Sequence, residues 1–270
     1  MSTTHGFSER KARFLNLWHA RRATRAKAAT AFVSAPEPRT IGSFAKGRQL
    51  VAGNYLFAGA LIEAPGTDLW DVDAPDQAFL DAIHGFSWMD DLAAVGDAST
   101  RDVGQRWLWG WIERYGRGRG PGWTPDLTGR RLIRWINHAL FLLRGQEAAA
   151  AEPFFRSLAQ QTQFLSKRWH AAAPGLPRFE ALTGLIYAGL SLEGMEDLAP
   201  PAVSALAREC REQIDGQGGL PTRNPEELLE VFTLLTWASA ALIDAGQETP
   251  GALLAASERI APTLRTLRHS

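Results

Sequence analysis

From residue 75 onward the sequence is a succession of helical patterns separated by short connections, and this feature constrains the fold more than any other. Apolar residues recur at three- and four-residue spacing, as Val103, Trp107 and Trp111 do, which places them on one helix face. Asn224 is a favourable N-cap, and Pro225 follows it at the first helical position. The patterns predict helices over residues 76–82, 97–115, 128–143, 152–169, 176–192, 200–214, 224–245 and 250–267.

Short connections between helices of this length favour antiparallel neighbours. We therefore predict an all-α fold, an incomplete (α/α) toroid of helical hairpins, over residues 75–270. A helical solenoid is the alternative architecture, but the sequence shows no fixed repeat period of the tetratricopeptide or armadillo type.

The residues before the predicted toroid divide into two segments. Residues 1–35 are predicted to contain a basic helix over residues 8–33. Residues 36–74 are a Pro- and Gly-rich segment with short strands expected at 49–51, 55–57 and 60–62. The predicted chain is thus a basic helix, a short β-hairpin-like segment and a helical domain.

The basic helix at the N-terminus has two interpretations. It carries Phe14 and Trp18 in its apolar stripe, and its charged residues are almost all Arg or Lys. Such a helix can bind a membrane surface or an acidic partner, and a transit peptide has a similar composition. It can equally pack on the domain with its charges in solvent, which is the interpretation we favour.

Composition excludes several classes of protein. Lys+Arg and Asp+Glu both number 29, so a dominant nucleic-acid-binding surface is not expected. Cys210 is the single cysteine, which excludes an internal disulfide and a Cys-based metal cluster, and we expect neither a metal nor a cofactor. No apolar run reaches the about 18 residues that a membrane-spanning helix needs, and no secretory signal is visible.

Tryptophan is unusually abundant. The chain has 10 Trp against 3 Tyr, and most of the Trp residues lie between Trp70 and Trp135. The favoured interpretation is a Trp-rich helical core. The alternative is a cleft in which the rings stack on sugar faces, and the two interpretations are compatible.

Two groups of residues in the middle of the chain are candidates for a ligand site. His84 and Trp88 bound a compact motif that is expected to line a cleft between helices, without the glycine elbow that a nucleophilic serine needs. Arg134 and His138 lie in a segment with two further arginines. Arginine pairs with carboxylates in a bidentate way, so this segment suits an acidic sugar, although an ordinary arginine-bearing helix face is the alternative.

Two further motifs have plainer interpretations. Arg223 and Asn224 follow two glycines at a helix start, where anions bind readily, and an ordinary helix-start turn explains them equally well. Asp90 and Asp91 are expected to be charges on a solvated helix face or near a helix N-terminus. They are not expected to bind a metal, because hard cations need several converging oxygens.

Four segments in this order resemble the heparinase II/III family of polysaccharide lyases, in its short-form branch that is common in α-proteobacteria. They are residues 84–92, 129–138, 175–178 and 218–225. The resemblance implies an N-terminal α/α toroid, which in the family is followed by a C-terminal domain of stacked antiparallel β-sheets. Because this chain stops near the expected junction, we expect that β domain to be absent here.

The resemblance also implies a reaction, β-elimination on a uronic-acid polysaccharide. A base removes the C5 proton and an acid assists departure of the C4 oxygen. The family uses Asn or Glu, His and Tyr of the toroid for these steps, with a further His from the β domain. This sequence has no Tyr just after residue 224 and no Asn-His pair at 175–179, so catalytic residues are not assigned. The expected substrate contacts are Arg223 and Asn224, followed by His84, Trp88, Arg134 and His138.

We therefore predict a heparinase II/III-like protein that cleaves or binds a uronic-acid-containing polysaccharide. A non-catalytic domain that binds acidic glycans or acts as a scaffold is the alternative. A toroid glycoside hydrolase is a third hypothesis, for which two carboxylates must face each other across a cleft. The family implies a location in the bacterial cell envelope, although the sequence is equally compatible with the cytoplasm.

Overall fold

The computed structural model describes residues 2–34 and 38–268, with side chains described for 9–34, 38–147 and 151–267. In these parts of the chain the structure is all-α apart from a β-hairpin and an isolated bridge, as predicted. The helices are α1 (Ser2–Ala23), α2 (Phe44–Val51), α3 (Gln77–Gly85), α4 (Trp88–Val95), α5 (Ala98–Tyr115), α6 (Pro125–Asn137), α7 (Ala139–Leu143), α8 (Ala148–Arg168), α9 (Leu176–Ser191), α10 (Ala199–Gln213), α11 (Pro225–Asp244) and α12 (Gly251–Arg268). The strands are β1 (Asn54–Phe57) and β2 (Ala60–Glu63).

Helix α9 is the centre of the helical domain. Every residue from Phe179 to Ser191 is buried, and α6, α8, α10 and α11 pack around it. Helix α12 packs on α10 and α11, and α1 packs on α8. A helix that is surrounded by others is apolar on all sides, which explains the predominantly apolar sequence of α9.

Helices α6 and α9 approach each other at two glycines. A Cβ atom at Gly129 would lie 2.2 Å from the carbonyl oxygen of Glu180, and one at Gly184 would lie 2.4 Å from Gly129 Cα. Only a hydrogen atom fits at these distances. The glycines therefore set the separation of the two helices, and with it the distance between Arg130 and Glu180.

The predicted β-hairpin is present. Strand β1 pairs with β2 in antiparallel register, with Leu56 opposite Leu61. The turn residues Ala58 and Gly59 both have positive φ, at 50° and 82°, and this matches the twist of the flanking strands.

The strand predicted at residues 49–51 is wrong, because these residues belong to α2. Ser43 caps this helix by accepting a hydrogen bond from the backbone N–H of Lys46 at 3.3 Å. Gly47 does not mark a turn. It permits close packing on α4, since a Cβ there would lie 2.2 Å from the carbonyl oxygen of Asp91.

Three helical segments differ from the prediction. Helix α1 ends at Ala23, and the helix predicted over 128–143 begins at Pro125 and is interrupted at His138. Helix α4 lies where no helix is predicted. It follows Phe86, whose left-handed φ of 61° ends α3 abruptly. The periodicity of apolar residues does not report such local backbone turns, which explains the differences.

Tryptophan rings fill the core. Trp88, Trp107, Trp111, Trp123 and Trp135 are each at most 2% exposed. Several of the rings meet edge to face, with centroids 5.5 Å apart for Trp111 and Trp135 and 5.2 Å apart for Trp88 and Trp107. The Trp-rich core is confirmed, and these five rings are not available to a sugar.

Helix α1 lies on the surface of the domain. Its buried residues are Asn16, Ala20 and Ala23, whereas Phe14 and Trp18 are exposed. Among the helices that the structure describes, none combines the length and the apolar character needed to cross a bilayer.

Candidate functional site

A cleft of about 330 Å³ opens between α6, α9 and α11. Helix α6 contributes Arg130 and Arg134, which lie one turn apart on the same helix face, and α9 contributes Glu180. Helix α11 contributes a face that includes Trp237. The other lining residues are Thr40, Ser87, Leu229, Glu230, Thr233 and Leu234.

Glu180 is a deeply buried acid at this cleft, with its side chain only 4% exposed. Arg130 Nε donates a hydrogen bond to Glu180 Oε1, while Oε2 receives none from the described part of the chain. Burial raises the pKa of Glu180 to about 7, and the charge of Arg130 opposes this shift. The carboxyl group therefore changes charge near neutral pH, and its second oxygen is buried without a hydrogen-bond partner among the described residues.

Arg134 lies between a carboxylate and an aromatic ring. Its Nε is 3.5 Å from Asp90 Oδ2, and its guanidinium carbon is 5.4 Å from the centroid of the Trp237 ring. The ring and the carboxylate orient the guanidinium group. Since this group has five N–H donors, one long ion pair leaves donors for a ligand carboxylate.

Asp90 and Asp91 lie in the first turn of α4, as one of their two predicted interpretations has it, but the alternative of a solvated face is wrong for Asp90. Its side chain is only 12% exposed, accepts a hydrogen bond from Thr40 Oγ1 at 2.9 Å and lies 2.7 Å from His138 Nε2. Burial favours the protonated form, but the hydrogen bond from His138 and the charge of Arg134 hold the pKa of Asp90 below its usual range. Asp90 is thus an ionised group that positions both Arg134 and His138.

The cleft offers two guanidinium groups, two carboxyl groups, of which Glu180 has a pKa near neutrality, and an indole ring. Guanidinium groups bind carboxylates, and an indole ring presents a large apolar face beside its polar N–H. Together these groups suit a sugar that carries a carboxylate. Within residues 9–34, 38–147 and 151–267, no group of three His, Cys, Asp or Glu side chains is arranged to hold a metal ion.

His84 and Trp88 are not brought to this cleft, which corrects their predicted contact with a substrate. Both are 1% exposed, inside the Trp-rich core. His84 Nδ1 accepts a hydrogen bond from Trp111 Nε1 at 3.1 Å, and burial lowers the pKa of His84 to about 3. Trp88 Nε1 donates to the carbonyl oxygen of Ile83 at 2.9 Å. His84 Nδ1 and Trp88 Nε1 therefore form hydrogen bonds inside the core.

Arg223 and Asn224 lie at the start of α11 and do not line the cleft. Asn224 Oδ1 accepts hydrogen bonds from the backbone N–H groups of Glu226 and Glu227 at 2.9 and 3.5 Å, so the helix is already capped. The two glutamates also oppose an anion there. Arg223 is 3.6 Å from Asp215 Oδ2. This geometry favours the ordinary helix-start turn over an anion site.

Among the predicted site residues, Arg134 lines the cleft. His138 contacts Asp90, which in turn contacts Arg134. Glu180 and Trp237 are site residues that the sequence analysis missed. Glu180 could have been recognised from the sequence, because it is a lone acid in an apolar segment and a buried carboxyl group needs a partner. Trp237 has no comparable signal, since core residues occupy the same helix.

The sequence matches no protein-family profile. It is similar to FtsZ-localized protein C of Caulobacter vibrioides (strain NA1000 / CB15N), with 29% identity over 232 residues. The similarity covers 85% of this chain and 39% of that protein. The chain therefore spans well under half the length of this relative.

The structure is similar to the helical part of two solved lyases. The crystal structure of heparinase III superposes with a TM-score of 0.69 at 14% identity, covering 90% of this chain and 42% of that one. A mutant of the heparan sulfate lyase HepC from Pedobacter heparinus superposes with a TM-score of 0.64 at 16% identity, covering 93% and 43%. At these identities the likeness shows the fold alone, and it confirms the helical toroid.

Proposed function

We propose that this chain binds a carboxylate-bearing polysaccharide in the cleft between α6, α9 and α11. The observation that carries the proposal is Arg134, held between Asp90 and the Trp237 ring at the cleft. The heparinase-type toroid supports the proposal, because the similar solved proteins are named as heparinase and heparan sulfate lyase.

Each part of the cleft has a role in this proposal. Arg134 receives the sugar carboxylate, and Arg130, one turn away, adds a second positive charge. Trp237 offers an apolar surface to the ring face. Glu180 holds Arg130 in place and, with its pKa of about 7, sets the charge of the cleft.

Arg134→Ala is expected to weaken binding of a uronic-acid polysaccharide by at least about tenfold, because it removes a charge-assisted contact. Isothermal titration calorimetry with hyaluronan and heparan sulfate measures the affinity, with neutral dextran as the negative probe. Arg48→Ala is the matched control, since Arg48 forms an exposed ion pair with Asp97 outside the cleft. Equal affinity of the Arg134 and Arg48 variants would contradict the proposal.

Binding is also expected to depend on pH through Glu180. Below about pH 7 this carboxyl group is protonated, so the cleft carries one negative charge less and holds a polyanion more tightly. Affinity should therefore rise between pH 8 and pH 6, within about one unit of that pKa, and Glu180→Gln should remove most of the dependence.

Cleavage is followed in the same samples by the ultraviolet absorbance of an unsaturated uronate. An increase in this absorbance that the Glu180→Gln substitution abolishes would show that the chain also catalyses β-elimination.

A second candidate function is a scaffold module that associates with FtsZ. The similarity to FtsZ-localized protein C over 85% of this chain favours it. If the chain has this function, we expect it to sediment with FtsZ polymers that are assembled with GTP. It should stay in the supernatant when FtsZ is not assembled. Arg134→Ala should leave this sedimentation unchanged, because the cleft is not the contact. A chain that remains in the supernatant under both conditions would remove this candidate.

A further inference from the structure

Helix α1 exposes its aromatic side chains and buries its small ones. Phe14 is 67% exposed and Trp18 is 45% exposed, whereas Asn16 and Ala20 are at most 8% exposed against the domain. Phe14 and Trp18 are four residues apart, so they lie on one face of the helix. A surface helix normally has the opposite arrangement, with its apolar stripe facing the core.

Positive charges surround this aromatic face. Glu9 is the single acidic residue in the sequence of residues 9–34. The guanidinium carbon of Arg22 is 5.3 Å from the Trp18 ring centroid. None of the helix cations forms an ion pair with a side chain that the structure describes. These cations are Arg10, Lys11, Arg13, Arg21 and Arg22.

Cationic side chains also line two clefts beside α1. A cleft of about 580 Å³ between α1 and α8 is lined by Trp18, His19, Arg22, Arg25 and Lys167. Burial and the charges of neighbouring arginines lower the pKa of His19, as expected where cations gather.

A second cleft, of about 600 Å³, lies at the end of α1. Four arginines and one acidic residue, Glu113, line this cleft. The arginines are Arg21, Arg117, Arg119 and Arg156. Arg156 pairs with Glu152, whereas none of the other three arginines forms an ion pair with a described side chain. We call α1 and the residues of these two clefts the basic aromatic face.

The whole chain has equal numbers of positive and negative side chains. The basic aromatic face therefore carries a local excess of positive charge on a chain without net charge, and such an excess attracts an anionic surface. A soluble phosphate compound or a nucleic acid would account for the cations. A phosphate compound or a duplex leaves Phe14 and Trp18 in water, and a single strand would only stack bases on the rings. A lipid interface transfers both side chains into an apolar environment, which is favourable.

We propose that the basic aromatic face docks this protein peripherally on an anionic lipid surface. Phe14 and Trp18 enter the boundary between headgroups and acyl chains, and the arginines contact lipid phosphates. Attraction to anionic headgroups and burial of apolar side chains are the two contributions that hold an amphipathic helix in an interface. This proposal does not depend on the glycan-binding cleft, which lies between other helices.

Vesicle sedimentation of the full chain tests the proposal. The chain is expected to sediment with vesicles of phosphatidylcholine and phosphatidylglycerol, to stay in the supernatant with phosphatidylcholine alone, and to dissociate as NaCl is raised. The double substitution Phe14→Ala and Trp18→Ala should weaken binding by at least about tenfold. Arg22→Gln and Arg25→Gln should each weaken it by about fivefold.

The matched control is the double substitution Leu56→Ala and Leu61→Ala, which removes two exposed apolar side chains from the β-hairpin. It should leave vesicle binding unchanged, and circular dichroism checks that all variants are folded. Equal sedimentation of the Phe14/Trp18 variant and the unsubstituted chain would overturn the proposal. So would duplex DNA binding that displaces the vesicles and is unaffected by the Phe14/Trp18 change, since that result would assign the face to nucleic acid.

Discussion

Replacing Gly129 by alanine is expected to lower the free energy of unfolding by about 3 kcal/mol or more. The added Cβ would lie 2.2 Å from the carbonyl oxygen of Glu180, and the obstructing atom is backbone that cannot rotate away. Helices α6 and α9 must therefore separate along the most buried contact of the domain. Denaturant-induced unfolding followed by circular dichroism measures the loss.

Gly251→Ala is the control for this prediction, because nothing lies within 4 Å of a Cβ at that helical position. It should be neutral or slightly stabilising, as alanine is the better helix former. Separation of α6 and α9 also moves Arg130 away from Glu180, so the Gly129 variant should bind glycan less tightly even where it remains folded. Unfolding of both variants at the same denaturant concentration would contradict the close approach.

The elements of the fold were predictable where one short segment determines them. The start of α11 was predicted to the residue, because Asn224 and Pro225 provide the cap and the first turn by themselves. Helix α9 was predicted from its predominantly apolar sequence. The strand predicted at 49–51 failed because a glycine before a short apolar run can mark a turn or permit a close helix contact. Gly47 does the latter, and only the position of the partner helix distinguishes the two.

The candidate site was less predictable, because it depends on residues that are distant in the sequence. Arg130 and Glu180 are 50 positions apart and meet only because α6 and α9 pack at glycines. Arg134 was predicted as a ligand contact from its local arginine-rich segment, without the Trp237 ring beside it. His84 and Trp88 failed as ligand contacts because residues of these types serve a core as readily as a site, and burial is not visible in a short motif.

Arg131→Ala is expected to lower the free energy of unfolding by about 4 kcal/mol. Arg131 is fully buried, and its Nε donates to Gln161 Oε1 at 2.6 Å. Its Nη1 donates to the carbonyl oxygens of His84 and Gly122 at 2.9 and 3.2 Å. The guanidinium carbon also lies 4.0 Å from the Trp111 ring centroid. Alanine would leave these acceptors unpaired in a dry core and open a cavity.

Urea-induced unfolding followed by tryptophan fluorescence measures this loss, with Arg156→Ala as the control. Arg156 forms an exposed pair with Glu152 on α8, and its removal should cost less than about 0.5 kcal/mol. Comparable stability of the two alanine variants would contradict the role assigned to Arg131.

Arg131→Lys separates charge from geometry. Burial lowers the pKa of Arg131 to about 9, which still leaves the group charged at neutral pH. Lysine keeps a positive charge but has one nitrogen, and that nitrogen cannot reach Gln161 and the two carbonyl oxygens at once. The lysine variant should therefore lose most of the stability that the alanine variant loses. A lysine variant as stable as the unsubstituted chain would show that the Trp-rich core needs only a cation, whereas a large loss would show that it is organised by the planar arrangement of guanidinium donors.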